Sequence, residues 1–262
     1  MRKFFVSCAV LALFLVAASA SFSHELIVKP TKMEAPAGET LPIELQSTHK
    51  FIVPEEVEDI SYITAGIVRD GKLMTSEVTG NEPELRIDFS VKVEDEGASI
   101  IVANKVGSIW SATNEGGKSG SRKKLEDEGL KVLTSTRIDK YAKAVVNAVA
   151  GDTGYGALAG QDLEIVPLDN PAEARVGEYF RVRILHLGQP AAVPVWATYD
   201  GFCTEYESTY AYYTESEADG TAYIKIVSPG LWIVRTSKER DPGIDGEYDS
   251  RTLRSTLVFS VR

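Results

Sequence analysis

The sequence predicts a mainly β protein with two immunoglobulin-like β-sandwich domains and a helical insertion between them. Short apolar segments with period-two alternation recur in both halves of the chain, and Asp-Gly pairs separate several of them. A stretch in the middle has the apolar spacing of an amphipathic helix instead. We therefore predict sandwich domains at residues 24–112 and 152–262, with a loop and helical segment at residues 113–151.

Residues 1–23 have the three parts of a secretory signal peptide. Arg2 and Lys3 precede an uncharged apolar run at residues 4–16, and small residues follow at 17–20. The run is shorter than the roughly 20 apolar residues that a membrane span needs, and no later stretch approaches that length. We expect an exported, periplasmic protein whose mature chain has no transmembrane segment.

The bond at which the signal is cut decides what His24 can offer to a metal. Cleavage after Ala20 and cleavage after Ser23 both fit the small-x-small rule, and cleavage after Ser21 is a third option. A cut after Ser23 makes His24 the first residue, with an α-amine beside its ring. A cut after Ser21 makes it the third, so that the amine, two amides and the imidazole surround Cu(II) or Ni(II) in a square plane. The sequence leaves these alternatives open.

Strand patterns fill both predicted domains. In the first domain, residues 41–45 and 85–91 alternate between apolar and polar side chains, and residues 98–102 form a denser run that is typical of a buried strand. Asp-Gly pairs at residues 70–71 and 219–220 predict hairpin turns. Seven strand segments in the second domain are typical of an immunoglobulin-like sandwich.

The middle of the chain has a different periodicity. A stripe of apolar residues there recurs at the spacing of one helical face, and Gly151 follows it as a stop signal. We predict an amphipathic helix that packs on the β framework. The stripe consists of Ile138, Tyr141, Ala142, Val145, Val146 and Val149.

Composition excludes several classes of function. The formal net charge of −10 argues against nucleic acid, whose binding requires Lys and Arg on the phosphates. Cys8 leaves with the signal, so Cys203 has no intramolecular disulfide partner, and cysteine-based zinc and Fe–S sites are excluded. The chain contains no His-Glu-x-x-His, no nucleophile elbow and no convincing Ser/His/Asp set. We expect a protein that is not an enzyme.

Three histidines are the candidate metal ligands: His24, His49 and His186. Imidazole nitrogens suit Ni, Co, Cu and Zn, and acids such as Glu25 are candidates for orienting a ring. The alternative is that these histidines are ordinary polar residues of the surface or core.

A group of aromatic residues in the second domain allows two interpretations. Such residues either fill the core of a sandwich, which we favour, or form a face that binds a sugar or a peptide. The second interpretation corresponds to an immunoglobulin-like interaction module that binds protein or carbohydrate. The group contains Trp196, Tyr206, Tyr210, Tyr212, Tyr213 and Trp232.

Three segments of the chain together resemble the DUF4198 family. They are residues 24–30 (His-Glu-Leu-Ile-Val-Lys-Pro), residues 139–145 and a long block from Trp196 to Arg235. Members of this family resemble periplasmic components associated with cobalt and nickel uptake systems of the energy-coupling-factor type. The resemblance implies binding of Ni or Co, with Cu or Zn as alternatives, and membrane metal transporter components as partners.

Overall fold

The computed structural model describes residues 24–94 and 96–262, and the predicted signal peptide lies outside these residues. The helices of the described chain are too short or too polar to span a bilayer. They are α1 (Arg122–Asp127) and the 3₁₀ turns Ile60–Tyr62, Glu82–Glu84, Gly154–Gly156 and Pro171–Glu173. The strands are β1 (Glu25–Pro30), β2 (Thr40–Thr48), β3 (Ile63–Arg69), β4 (Lys72–Ser76), β5 (Thr79–Asn81), β6 (Arg86–Lys92), β7 (Ser99–Thr113), β8 (Gly116–Ser119), β9 (Val132–Val146), β10 (Leu163–Pro167), β11 (Tyr179–His186), β12 (Gln189–Pro190), β13 (Pro194–Tyr199), β14 (Tyr212–Glu215), β15 (Thr221–Lys225), β16 (Gly230–Ile244) and β17 (Tyr248–Val261).

These strands form three sheets stacked in layers. The central sheet has the order β14-β13-β16-β17-β9-β7-β3-β4, with β8 paired to β7. The N-terminal sheet, of order β1-β2-β6-β5, covers one face of the central sheet. The C-terminal sheet contains β10, β11, β12 and β15 and covers the other face. The predicted mainly β class is confirmed.

The long strands of the central sheet are apolar on both faces because both faces are buried. In β7, Ile101 and Ala103 face the N-terminal sheet, whereas Ile100 and Val102 face the C-terminal sheet. Strands buried on both sides are expected to be nearly continuously apolar instead of alternating. This explains the dense run at residues 98–102 and confirms its prediction as a buried strand.

The predicted helix over residues 138–149 is wrong, since most of this stretch belongs to β9. This strand pairs antiparallel with β7 and parallel with β17. Ala142 and Ala144 face the N-terminal sheet, and Tyr141 and Val145 face the C-terminal sheet. A strand with apolar residues on both faces contains subsets at helical spacing, so periodicity alone does not distinguish the two structures. The helix of the insertion is only α1.

The two Asp-Gly turns have different outcomes. Asp70 and Gly71 both have positive φ and join the paired strands β3 and β4, as predicted for a hairpin of this type. Residues 219–220 do not close a hairpin, because β14 pairs with β13 in the central sheet and β15 pairs with β11 in the C-terminal sheet. Ala222 and Ile224 of β15 are buried in the core between the central and C-terminal sheets, which accounts for the position of β15 in the C-terminal sheet.

Both predicted domain ranges contribute strands to the central sheet. β3, β4 and β7 come from residues 24–112, and β13, β14, β16 and β17 come from residues 152–262. The parallel pairing of β9 with β17 joins the two sets. The finer division of the chain into two sandwich domains stays a prediction.

Buried charges on β9 are paired with charged partners, either from another layer or from the central sheet itself. Lys143 is 0% exposed and contacts the carboxylate of Glu164, which also accepts backbone N–H groups at residues 159–161. Asp139 is equally buried and contacts Arg137 and Arg251. Because an unpaired ion in a core is costly, the Lys143–Glu164 pair favours one alignment of β10 on the central sheet, and the Asp139–Arg251 pair favours one register of β9 on β17.

Replacing Lys143 by alanine is expected to lower the free energy of unfolding by about 3–5 kcal/mol, because Glu164 would lose the ammonium that balances its buried charge. Urea denaturation measures this change. Lys123→Ala is the control, since it breaks an exposed pair with Asp127 and should leave the stability unchanged. Equal losses in the two variants would contradict the assignment.

Candidate metal centre

The pairing of β1 with β2 brings the first two histidines together. Their antiparallel register sets Glu25 opposite Thr48, so one further step along both chains sets His24 opposite His49. The two rings are in contact, with centroids 4.0 Å apart and planes inclined by 39°. Both side chains are half-buried, with 23% and 15% of their surface exposed. They remain open to solvent at the end of the N-terminal sheet.

The chain after β2 turns back and adds two carboxylates to the histidines. Glu56 forms an isolated antiparallel bridge with Ser47, and the N–H of Glu55 donates to the carbonyl of Ser47 over 3.0 Å. The backbone N–H of His49 donates to Oε2 of Glu55 over 2.8 Å. This turn fixes the Glu55 carboxylate beside both rings.

Glu55 is the centre of the cluster. Its Oε2 lies 3.1 Å from Nε2 of His24 and 3.0 Å from Nδ1 of His49. One ligand atom from each of these three residues lies within 4.8 Å of the other two. Two ligands of one ion with bonds of about 2 Å are at most about 4 Å apart, so the residues fit a transition metal after small side-chain rotations.

Glu56 occupies the other side of the His24 ring. Its Oε1 lies 2.8 Å from Nδ1, so His24 has a carboxylate oxygen at each ring nitrogen. The hydrogen bond from His24 lowers the pKa of Glu56 and outweighs the opposing effect of burial. A carboxylate that accepts from one ring nitrogen leaves the other nitrogen for a metal.

Glu25 does not orient a histidine, contrary to its suggested role. Its side chain is buried, and Oε1 lies 2.6 Å from Nε of Arg235 and 2.9 Å from Nη1 of Arg254. His24 and Glu25 are neighbours in sequence, and neighbouring residues of an extended chain point to opposite faces, so the two side chains have different partners. Glu25 therefore anchors the start of β1 to the central sheet.

Glu58 lies close to Glu56, with the hydroxyl of Ser47 within 3.1 Å of both carboxylates, and it contacts two lysines. Its Oε1 is 2.6 Å from Nζ of Lys140, and Oε2 contacts Nζ of Lys105. Burial alone would raise the pKa of Glu58, but the two ammonium groups prevail and lower it to about 2. The carboxylate is therefore ionised over the ordinary pH range.

His186 lies in a different part of the fold from the other histidines. It ends β11 in the C-terminal sheet, on the far side of the central sheet. Its Nε2 is 2.7 Å from Oδ2 of Asp241, and Lys238 contacts the same carboxylate. Of the three predicted ligands, the fold thus brings His24 and His49 together, and His186 lies outside their cluster. Whether the histidines bind a metal stays a prediction.

The aromatic group divides between core and surface. Trp232 is completely buried, as predicted for a core residue, whereas Tyr213 is 54% exposed on β14. The Tyr213 ring lies 5.6 Å from that of Trp196, whose face carries the guanidinium of Arg235 at 4.3 Å. An aromatic patch therefore remains at the surface.

Sequence reasoning did not identify Glu55 and Glu56 as members of the site. The available signal was the acidic segment at residues 55–58, which follows His49 after a short turn containing Pro54. Acidic segments are usually solvated, so this signal is weak without the register of β1 on β2.

Stability supplied by Glu58 should be fully present above about pH 4.5, the ordinary pKa, and should disappear as the pH falls toward 2. Glu58→Gln lacks this carboxylate. The difference in unfolding free energy between the wild type and this variant should therefore shrink over that interval, as measured by urea denaturation at several pH values. A difference that stays constant would contradict the ionic role of Glu58.

Comparisons with known proteins address the identity of the chain. Residues 21–240 match the family described as "Domain of unknown function (DUF4198)". No curated protein matches the chain. The chain is similar to a solved structure, the D0-D1 domain of Intimin, at 11% identity over 91% of this chain and 99% of that one, but the TM-score of 0.21 is too low to bear on the fold. Because the family match covers most of the sequence, as the three resembling segments predicted, the protein belongs to the DUF4198 family.

Proposed function

We propose that this protein is an exported, periplasmic metal-binding protein, which serves nickel or cobalt uptake and catalyses no reaction. The observation that carries this proposal is the meeting of His24, His49 and Glu55, with one ligand atom from each within 4.8 Å of the others. The partners would be components of a membrane metal transporter.

The donor set favours a borderline transition metal. Two imidazoles and one carboxylate suit Ni²⁺, Co²⁺, Cu²⁺ or Zn²⁺ better than the hard ions Ca²⁺ and Mg²⁺, which take oxygen ligands. Both His24 Nε2 and His49 Nδ1 face Oε2 of Glu55, so a cation bound between them would replace the protons that these nitrogens share with the oxygen. Affinity would then decrease when the pH falls.

Three protein ligands also suit a protein that passes its metal on. Structural sites are usually closed by four protein ligands, whereas a set of three leaves a coordination position for water or for an incoming group. The half-buried rings keep that position accessible from solvent. The net charge of −10 adds a field that attracts cations.

Calorimetry with Ni²⁺, Co²⁺, Cu²⁺ and Zn²⁺ on the mature protein tests the proposal. His49→Ala and Glu55→Ala should weaken binding by more than about 100-fold, because loss of an outer-sphere partner alone typically costs 10- to 100-fold. His186→Ala is the matched control and should bind as the wild type does, since this histidine lies in the C-terminal sheet. Absence of binding, or equal binding by all variants, would refute the metal role.

N-terminal sequencing of the exported protein decides whether His24 contributes an α-amine to the site in addition to its ring. A first residue of His gives the site an α-amine as a fourth nitrogen or oxygen donor, and such a chain should bind Ni²⁺ more tightly than one that begins at Ser21. N-terminal acetylation of the mature chain in vitro should abolish the difference. Equal affinities of the two forms would exclude the amine as a ligand.

A second candidate function rests on the aromatic patch. Exposed Tyr213 beside Trp196, with Arg235 on the indole face, has the aromatic composition of a surface that binds protein or carbohydrate. Titration with oligosaccharides, monitored by tryptophan fluorescence, tests this candidate. Trp196→Ala should remove the response if the patch binds sugar, and metal binding should be unaffected.

A further inference from the structure

We propose that Ser47 and Glu58 are positioning residues, which orient the ring of His24 for metal binding by holding Glu56. This inference rests on the proposed function and concerns residues that do not contact the metal. Three observations support it.

The first observation is the arrangement around the His24 ring. Glu56 lies at Nδ1 and Glu55 lies at Nε2. Oε2 of Glu55 also accepts from the backbone N–H of His49 and lies 3.0 Å from Nδ1 of that ring, so Glu55 is not dedicated to His24. Glu56 is therefore the carboxylate that can keep a proton on Nδ1 and leave Nε2 for the metal.

The second observation is that Glu56 needs support to do this. Its side chain is 44% exposed, and an exposed glutamate ordinarily samples several rotamers. Ser47 supplies two restraints: it pairs with Glu56 in a backbone bridge, and its hydroxyl lies 3.1 Å from Oε1 of Glu56. Ser47 is 1% exposed, so its own position is fixed by packing.

The third observation is the connection from Ser47 to a buried anchor. The same hydroxyl lies 2.9 Å from Oε1 of Glu58, so the two carboxylates share its single proton. Glu58 in turn contacts Lys105 and Lys140. These two lysines are directly opposite each other on β7 and β9. Like charges at opposite positions destabilise a sheet, so Glu58 is the group that makes this pair tolerable.

Calorimetry with Ni²⁺ alone, together with ¹⁵N NMR of the metal-free chain, tests the inference. Ser47→Ala should weaken Ni²⁺ binding by about 10- to 100-fold, as for other outer-sphere partners of metal-binding histidines. At a pH where the ring is neutral, the variant should also shift the His24 proton from Nδ1 toward Nε2. With only three histidines in the sequence, the ring signals are assignable. Glu58→Gln should have the same two effects and serves if Ser47→Ala does not fold.

Ser111→Ala is the matched control. Ser111 is likewise a buried serine on a strand, and its hydroxyl bonds to Ser135 and to a carbonyl away from the cluster. It should alter neither Ni²⁺ affinity nor the His24 tautomer. Unchanged affinity in Ser47→Ala, equal losses in both serine variants, or a loss without a tautomer shift would each overturn the positioning role. If the wild type binds no Ni²⁺, the proposed function fails, and the tautomer still decides whether Ser47 orients His24.

Discussion

Burial of the central sheet on both faces is the constraint on which the rest of the structure depends. Its strands must present apolar side chains in both directions, and every buried charged residue on them needs a charged partner. Lys143 meets Glu164 on one side, and Lys140 meets Glu58 on the other. These pairs tie loops and outer strands to particular points on the central sheet. Polar groups in the core thus fix how the layers align.

The candidate metal centre follows from the same alignment. β1 is held against the central sheet because Glu25 contacts Arg235 and Arg254, and because the hydroxyl of Thr256 donates to the carbonyl of Leu26. Once β1 is fixed, its register on β2 places the ring of His24 against the ring of His49. The candidate ligands therefore sit on the edge of a packed structure, although they belong to the solvent-facing end of a strand pair.

The sequence allowed much of the fold to be predicted, but only part of the site. Alternating segments such as residues 85–91 identified strands, because one of their faces meets solvent. Residues 138–149 were mistaken for a helix, because a doubly buried strand and a buried helix share a high apolar content. The sequence identified His24 and His49 as candidate ligands, but it did not show how their rings would be arranged. The contact between His24 and His49, which are 25 residues apart, depends on the register of β1 on β2. Glu55 and not Glu25 lies beside the rings, because Glu25 points toward Arg235 of the central sheet.

The contact between Glu25 and Arg254 spans 229 residues, and it has a consequence for the order in which the molecule can be assembled. Loop closure over such a separation is entropically unfavourable, and nonlocal pairings of this kind form late in folding. β1, which directly follows His24, is the first strand of the described residues, whereas β17, which contacts it, is the last of them. Without β17, both histidines would be present but β1 would lack its contact with Arg254. Formation of the His24–His49–Glu55 cluster is thereby coupled to the placement of β17.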